Sequence, residues 1–263
     1  MKIIKTAIIL LAVALCGEAS AQRALYVLSQ GTGIGRQSII PFEYGSQFEP
    51  DLLRATWDND EHIIAAGFTY HGLQLATARH PSWGNQTYNI SQSYPADFIS
   101  EMGRKGYTIT ELSSDGLNWL VIATEVSPRA PQLCFSFDDP AGEEERAKLD
   151  KMIASLAADK YFITDIACSG NVWAIVTTYN PDITDQIYDF PTAAQDISDY
   201  FMRNQTQGYR ISAADYGPGH YFCVMTRSKG TPKAQAVLPG VENPNEVMDR
   251  YWGMKFSITH IAH

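Results

Sequence analysis

One pattern returns five times along this chain, and it constrains the fold more than any other feature. An apolar helix pattern is followed by an aromatic-x-Ile-Thr segment. A tight turn, an apolar strand ending in Thr or Ser, and a strand carrying Gln complete the copy. The isoleucines Ile64, Ile109, Ile163, Ile211 and Ile258 are spaced by 45, 54, 48 and 47 residues. The glutamines Gln37, Gln86, Gln132, Gln186 and Gln235 keep step with them. A period of about 50 residues marks a repeat architecture, in which each copy buries its apolar face only against its neighbours.

The local signals are consistent from copy to copy. Counting back from the aromatic (His62, Tyr107, Tyr161, Tyr209, Phe256), apolar residues recur three and four positions apart, as on one face of an amphipathic helix. Rows such as Leu53, Phe98, Met152, Tyr200 and Val247, or Trp57, Met102, Leu156, Asn204 and Tyr251, predict a helix of about three turns. Gly106 and Gly208 suit the left-handed position past a helix end. Strand A follows, as in Tyr107–Leu112, and a polar turn such as Asp115-Gly116 leads into strand B. The B strands, Trp119–Ala123 among them, are apolar on both faces, which predicts a position inside a covered sheet. A loop rich in Pro and Gly then leads to the Gln-bearing strand C. The repeated Gln is expected to satisfy backbone groups at a common bend, in preference to forming a ring of ligands.

The chain therefore reads as B, C, helix, A, five times, over units near 23–70, 71–116, 117–170, 171–217 and 218–263. Tight hairpins pair each A strand with the next copy's B strand. The last A strand, Phe256–Ile261, and the first B strand, Leu25–Ser29, are left for each other, which removes two exposed edges. The predicted fold is α/β: a single domain, 22–263, of five ββαβ repeats closed into a pseudo-fivefold ring with helices outside.

This unit order resembles the α/β-propeller of the pentein superfamily. The motif text is similar to an uncharacterised repeat domain found after the kinase domain of plant casein-kinase-like proteins and in exported bacterial proteins. Tyr94-Pro95-x-x-Phe98-Ile99, Gly106-Tyr107-x-Ile109-Thr110, Trp119-Leu120-Val121-Ile122 and Gly208-Tyr209-Arg210-Ile211-Ser212 carry that resemblance. It covers nearly all of the chain after the first 21 residues, with copies one and five matching less well. That family has no assigned reaction, so the resemblance implies a fold and not an activity.

The start of the chain reads as a signal peptide. Lys2 and Lys5 precede an apolar run from Ala7 to Cys16, and Ala19-Ser20-Ala21 offers a cleavage site before Gln22. The expectation is an exported protein, periplasmic or extracellular, with no transmembrane segment. Removing residues 1–21 leaves 18 basic and 28 acidic residues, a net of −10. That balance argues against a nucleic-acid partner, whose phosphates require a basic surface. Three cysteines remain, Cys134, Cys168 and Cys223, each within an apolar strand pattern. Buried free thiols are the expected state, with a Cys168–Cys223 bridge as the alternative.

No catalytic motif stands out. Gly31-Thr-Gly33-Ile-Gly35 follows a strand, but strand C comes next instead of the helix that phosphate binding needs. There is no H-x-x-x-H and no Cys/His spacing for zinc, so neither metal nor cofactor is expected. One constellation has chemical content. Four residues past the aromatic stand Ala66, Glu111, Asp165, Ala213 and His260. Equivalent positions of a ring converge on its axis if they face inward, which would join two carboxylates and an imidazole as an acid/base set. Penteins with hydrolase or transferase activity use acidic, His and Cys residues near the axis, but the late C-terminal cysteine of such enzymes is missing here. The other reading of these residues is as solvated strand ends. The B–C loops vary in length and chemistry, and variable loops on a rigid scaffold are where binding concentrates. Trp83 and Tyr179 in those loops are candidates to stack on a sugar or peptide. Two functions follow: a monomeric non-catalytic module binding a protein, peptide or glycan, or a pentein-like hydrolase or transferase using Glu111, Asp165 and His260.

Overall fold

The computed structural model describes residues 24–43, 50–69, 72–140, 142–229, 234–241 and 243–262. The expected signal peptide lies outside these residues. The B strands are β1 (Leu25–Gln30), β4 (Gly72–Ala78), β7 (Trp119–Val126), β10 (Val172–Tyr179) and β13 (Tyr221–Ser228). The C strands are β2 (Gln37–Glu43), β5 (Trp83–Ser91), β8 (Gln132–Asp138), β11 (Ile183–Asp189) and β14 (Gln235–Pro239). Each C strand is followed by a helix: α1 (Pro50–Asp58), α2 (Ala96–Lys105), α3 (Glu143–Ala158), α4 (Ala194–Asn204) and α5 (Pro244–Trp252). The A strands β3 (His62–Thr69), β6 (Thr108–Ser114), β9 (Tyr161–Ser169), β12 (Arg210–Tyr216) and β15 (Phe256–Ala262) complete the five copies.

The strands form five antiparallel sheets of three: β2-β4-β3, β5-β7-β6, β8-β10-β9, β11-β13-β12 and β14-β1-β15. In each, a B strand lies between the A and C strands of one copy. Four of these B strands come from the following copy, and β1 serves the last. The expected terminal pairing is present, since β1 runs antiparallel to β15 from Leu25↔Ala262 to Gln30↔Phe256. The central position of the B strands explains their unbroken hydrophobicity, with Leu120, Val121, Ile122 and Ala123 all fully buried. Each A strand also touches the A strands of neighbouring copies, and β3 touches β15. At that last contact a Cβ added to Gly67 would lie 2.6 Å from the carbonyl oxygen of Ile261, so only glycine fits.

Every A strand is bulged at one place. Its register against the B strand shifts so that Ile64, Thr110, Thr164, Ser212 and Thr259 are skipped. The residues just before the skip are Ile63, Ile109, Ile163, Ile211 and Ile258. An A strand is the edge of its sheet, so the outward N–H and C=O of this isoleucine find no strand partner. The repeated glutamines supply one. Gln86 accepts from Ile63 N (2.8 Å) and donates to Ile63 O (2.9 Å). Gln132 does the same to Ile109 (2.7 and 2.9 Å), and Gln186 to Ile163 (2.9 and 2.8 Å). Gln235 holds Ile211 (2.8 and 2.9 Å), and Gln37 holds Ile258 (2.6 and 2.7 Å). Each carboxamide thus joins the C strand of one sheet to the A strand of the preceding copy's sheet, with Gln37 of the first copy reaching β15 of the last, imitating a peptide group.

The second N–H of the amide is used as well. Gln86, Gln132, Gln186 and Gln235 donate to Thr124, Thr178, Thr226 and Ser29 at 2.8–3.1 Å. These hydroxyls also meet the bulge hydroxyls Thr110, Thr164, Ser212 and Thr259 at 2.6–2.9 Å. In the first copy both hydroxyls are replaced by apolar side chains, Ile64 and Ala78, which join the hydrophobic cluster around Tyr26 and Ile258.

The bulge corrects the alignment of the first copy by one residue. Ile63, not Ile64, is the counterpart of Ile109, and Glu61, not His62, stands at the aromatic position. Leu53 (fully buried) then joins Ile153 and Phe201 in the apolar helix row, and Arg54 moves to the exposed row with Ser100, Ala154, Met202 and Asp249. Thr56, not Trp57, falls beside Met102. Backbone conformation agrees with the new alignment. The residue before the realigned aromatic position is left-handed in every copy: Asp60 (φ 62°), Gly106 (93°), Lys160 (66°), Gly208 (88°) and Lys255 (63°). Three copies therefore hold an ordinary L-residue where glycine is free of strain.

Two outcomes follow from these features. Gln186→Ala leaves the N–H and C=O of Ile163 without partners and should lower stability by about 2–4 kcal/mol, measured by urea unfolding. A loss under about 0.5 kcal/mol would show that the amide contacts are incidental. Lys160→Gly should instead raise stability by about 0.5–1 kcal/mol, with Gly106→Ala lowering it by a similar amount. Equal thermal midpoints for both variants and the parent would contradict the strain argument.

Candidate functional site

Glu111 on β6, Asp165 on β9 and His260 on β15 come together. One ligand-capable atom of each lies within 4.8 Å of the other two. With the first copy realigned, the row facing this point is Ala65, Glu111, Asp165, Ala213 and His260, so Ala65 replaces Ala66. The two alanines are fully buried and contribute only methyl groups. The other three are not solvated strand ends: Glu111 is 4% exposed, Asp165 5% and His260 7%.

Each polar group is also tied to the A strand of the preceding copy. Asp165 Oδ2 accepts from Leu112 N at 2.5 Å, and Oδ1 accepts from Ile166 N at 2.9 Å. Glu111 is hydrogen-bonded by the backbone of Ala66. Nε2 of His260 lies against both the N–H (3.1 Å) and the carbonyl of Ala214. One nitrogen cannot donate and accept at once, and the carbonyl is the closer partner, which favours an Nε2–H tautomer. Asp215, the residue after Ala214 on β12, repeats the device by accepting from Cys168 N at 2.9 Å. Oε1 of Glu111 is buried without a hydrogen-bond partner.

Burial dominates the electrostatics. It pushes the Glu111 carboxyl well above its ordinary range, and the neighbouring Asp165 and Asp215 carboxylates push it the same way. Asp165 is likewise raised by burial, against two backbone N–H groups that favour its charged form. His260 is lowered by burial and so favours the neutral imidazole. Two carboxylates and an imidazole can share protons, hold a cation, or exchange protons with a substrate that reaches them. No cysteine belongs to this three-residue cluster, and Cys168 and Cys223 are buried free thiols whose ionisation burial opposes. Burial also lifts the Cys134 thiol to about 12.

The B–C loops make a second candidate surface. Consecutive loops and the strand ends that flank them are hydrogen-bonded to one another: Gly35 N to Arg79 O, Ser127 N to Ser82 O and Tyr179 N, at the end of β10, to Pro131 O. Lys229 N to Asp182 O and Gln30 N to Ala234 O continue the series. The loops therefore emerge side by side. The glycine-rich segment Gly31–Gly35 is one of these loops and leads into β2, not into a helix. Neither expected loop aromatic lies in a loop, because the ladders extend to them: Tyr179 ends β10 and Trp83 opens β5. Tyr179 is 40% exposed and meets Tyr161 edge-on. Trp83 is half-buried, stacks on His80 at 4.4 Å and packs against the cluster around Ile258 and Ala78. The residue pattern did not single out the cleft of about 770 Å³ between this first loop and the end of α5, lined by Gly31, Thr32, Ile34, Trp252 and Lys255. Its walls lie more than 200 residues apart in sequence, so no local signal could join them.

The sequence matches no protein-family model, and no curated protein matches it significantly. No helix among the described residues is long and apolar enough to cross a membrane.

The buried carboxylates and imidazole should leave opposite marks on stability against pH. From the ordinary range of 3.8–4.5 up to the raised native values, the folded protein holds more protons than the unfolded chain, so stability falls as pH rises. His260 acts oppositely. Below its ordinary 6.5 the unfolded chain takes up the proton that the buried ring resists, so stability falls with acidification there. In chelator-treated protein Glu111→Gln should flatten the decline toward neutral pH, and His260→Gln should remove the weakening below 6.5. Urea midpoints across pH check both, and parallel profiles for all three proteins would refute the assignment.

Proposed function

We propose that this chain is a non-catalytic binding or scaffolding module, built as a closed five-unit α/β-propeller with its helices outside and working after export. The pairing of β1 with β15 and the cyclic contacts of the A strands support the closed ring. The observation that carries the functional reading is the contrast between the axis and the loops. The acid/base residues are 4–7% exposed, out of reach of a substrate, whereas the described parts of the B–C loops lie side by side, joined by backbone hydrogen bonds. The repeated polar residues serve architecture, and the freedom to vary is concentrated in the loops.

On that surface Tyr179 and the Trp252 cleft offer flat aromatic area, with Lys255 and Thr32 as polar neighbours. Such a surface suits a glycan or an extended peptide. Trp83 contributes to packing as well as to the surface. A glycan and peptide array should identify a ligand, and Tyr179→Ala with Trp252→Ala should abolish its binding while Met202→Ala, on the exposed face of α4, leaves it intact. Undiminished binding by the double variant would rule out this surface.

The meeting of Glu111, Asp165 and His260 favours a second reading, a pentein-like hydrolase or transferase. It requires solvent access to the axis. Diethylpyrocarbonate should label His260 in the native protein as fast as a free imidazole if that access exists. Protection until unfolding leaves the binding module as the better reading.

A further inference from the structure

We propose that Glu111, Asp165 and His260 form a binding site for one first-row divalent transition-metal ion, held where the A strands of the second, third and fifth copies meet. The argument starts from charge. Glu111 and Asp165 are both more than nine-tenths buried, and the charges that act on Glu111, Asp165 and Asp215, have its own sign. Buried carboxylates in such surroundings persist only if they are protonated or share a cation.

The geometry distinguishes these alternatives. A proton shared between the two carboxyls would join an oxygen of Glu111 to one of Asp165, but the partners of Asp165 are the backbone N–H groups of Leu112 and Ile166. Here Oε1 of Glu111 is buried with no partner. The three donor atoms form a triangle with no side longer than 4.8 Å. Around a zinc ion with bonds of about 2.0–2.1 Å, donors sit about 3.4 Å apart, so small side-chain rotations close the triangle on an ion. Ala65 and Ala213, the equivalent residues of the other two copies, leave that space to the three polar side chains.

The surroundings are those of ligands already oriented. Asp165 receives one backbone N–H on each oxygen, which fixes the carboxylate plane and leaves further lone pairs free. Nε2 of His260 rests on the Ala214 carbonyl, the type of partner that fixes a ligating imidazole and leaves its other nitrogen for the metal. One nitrogen with two carboxylate oxygens suits zinc and manganese better than calcium, which takes oxygen alone. The sequence conceals the set because its members lie 54 and 95 residues apart, one in each of three repeats.

The test uses the untagged, full-length protein, stripped with a chelator and offered Zn²⁺ or Mn²⁺ at neutral pH, both natively and during refolding. Elemental analysis after gel filtration should find one ion per chain, and the thermal midpoint should rise on loading. Glu111→Gln and His260→Gln should each weaken uptake by at least about 100-fold, as measured with a competing chromophoric chelator. If these variants fail to fold, Co²⁺ loaded into the parent protein provides the second reading. Visible absorption of a low-symmetry nitrogen–oxygen site, without thiolate charge transfer, supports the assignment. Absence of stoichiometric uptake by either route overturns the proposal, as does uptake that the variants do not change. The binding reading of the loops is tested separately, because neither variant touches them.

Discussion

The fold depends on a side-chain amide taking the place of a peptide group. Three-stranded sheets placed side by side leave the outer edge of each A strand unpaired, and an unpaired edge buried between sheets is costly. A fourth strand would satisfy that edge but would need a longer repeat. Glutamine satisfies it with one residue, because its carboxamide carries an acceptor and two donors at the end of a two-carbon arm. The bulge and the glutamine belong together: the bulge turns the isoleucine's peptide groups outward, and the amide receives them. Glutamate could not donate to the carbonyl, and asparagine would be one methylene too short.

With the sheets joined in this way, the A strands approach closely enough for side chains of one to reach the backbone of the next. Glu111, Asp165, Asp215 and His260 all do so. The close approach has an electrostatic consequence, since it gathers carboxylates where little water can solvate them. It also has a steric one, visible at Gly67, where β3 meets β15 with no room for a methyl group. The first copy resolves its junction with different chemistry, exchanging a hydroxyl pair for Ile64 and Ala78 while keeping the glutamine. The backbone hydrogen bonds are thus the invariant part, and the hydroxyl network is a refinement that apolar packing replaces.

Much of this was legible in the residues. Among the described residues, periodicity located five helices and fifteen strands in the right order, the tight hairpins indicated which strands pair, and the leftover β1 and β15 indicated each other. The architectural role of the glutamines was also readable, because a polar residue recurring in step with an apolar core has a common local task. The first copy was misread by one position. A bulge adds a residue without changing hydrophobicity, so Ile63 and Ile64 fit the pattern equally well, and His62 passed for the repeat's aromatic. Only the left-handed backbone at Asp60 and the bond from Gln86 to Ile63 separate the two alignments.

The sequence by itself determined the repeat, the antiparallel pairing and the row from which Glu111, Asp165 and His260 come, since all of these follow from spacing along the repeat. Tertiary structure decided which backbone groups the glutamines hold and that Glu111, Asp165 and His260 are buried together instead of solvated. It also decided that Trp83 is half-buried against the core while Tyr179 is open to solvent. Spacing specifies what each copy does to itself, whereas burial and charge depend on how closely copies approach one another. That distance is set across the sheet junctions, by contacts between residues far apart in the chain.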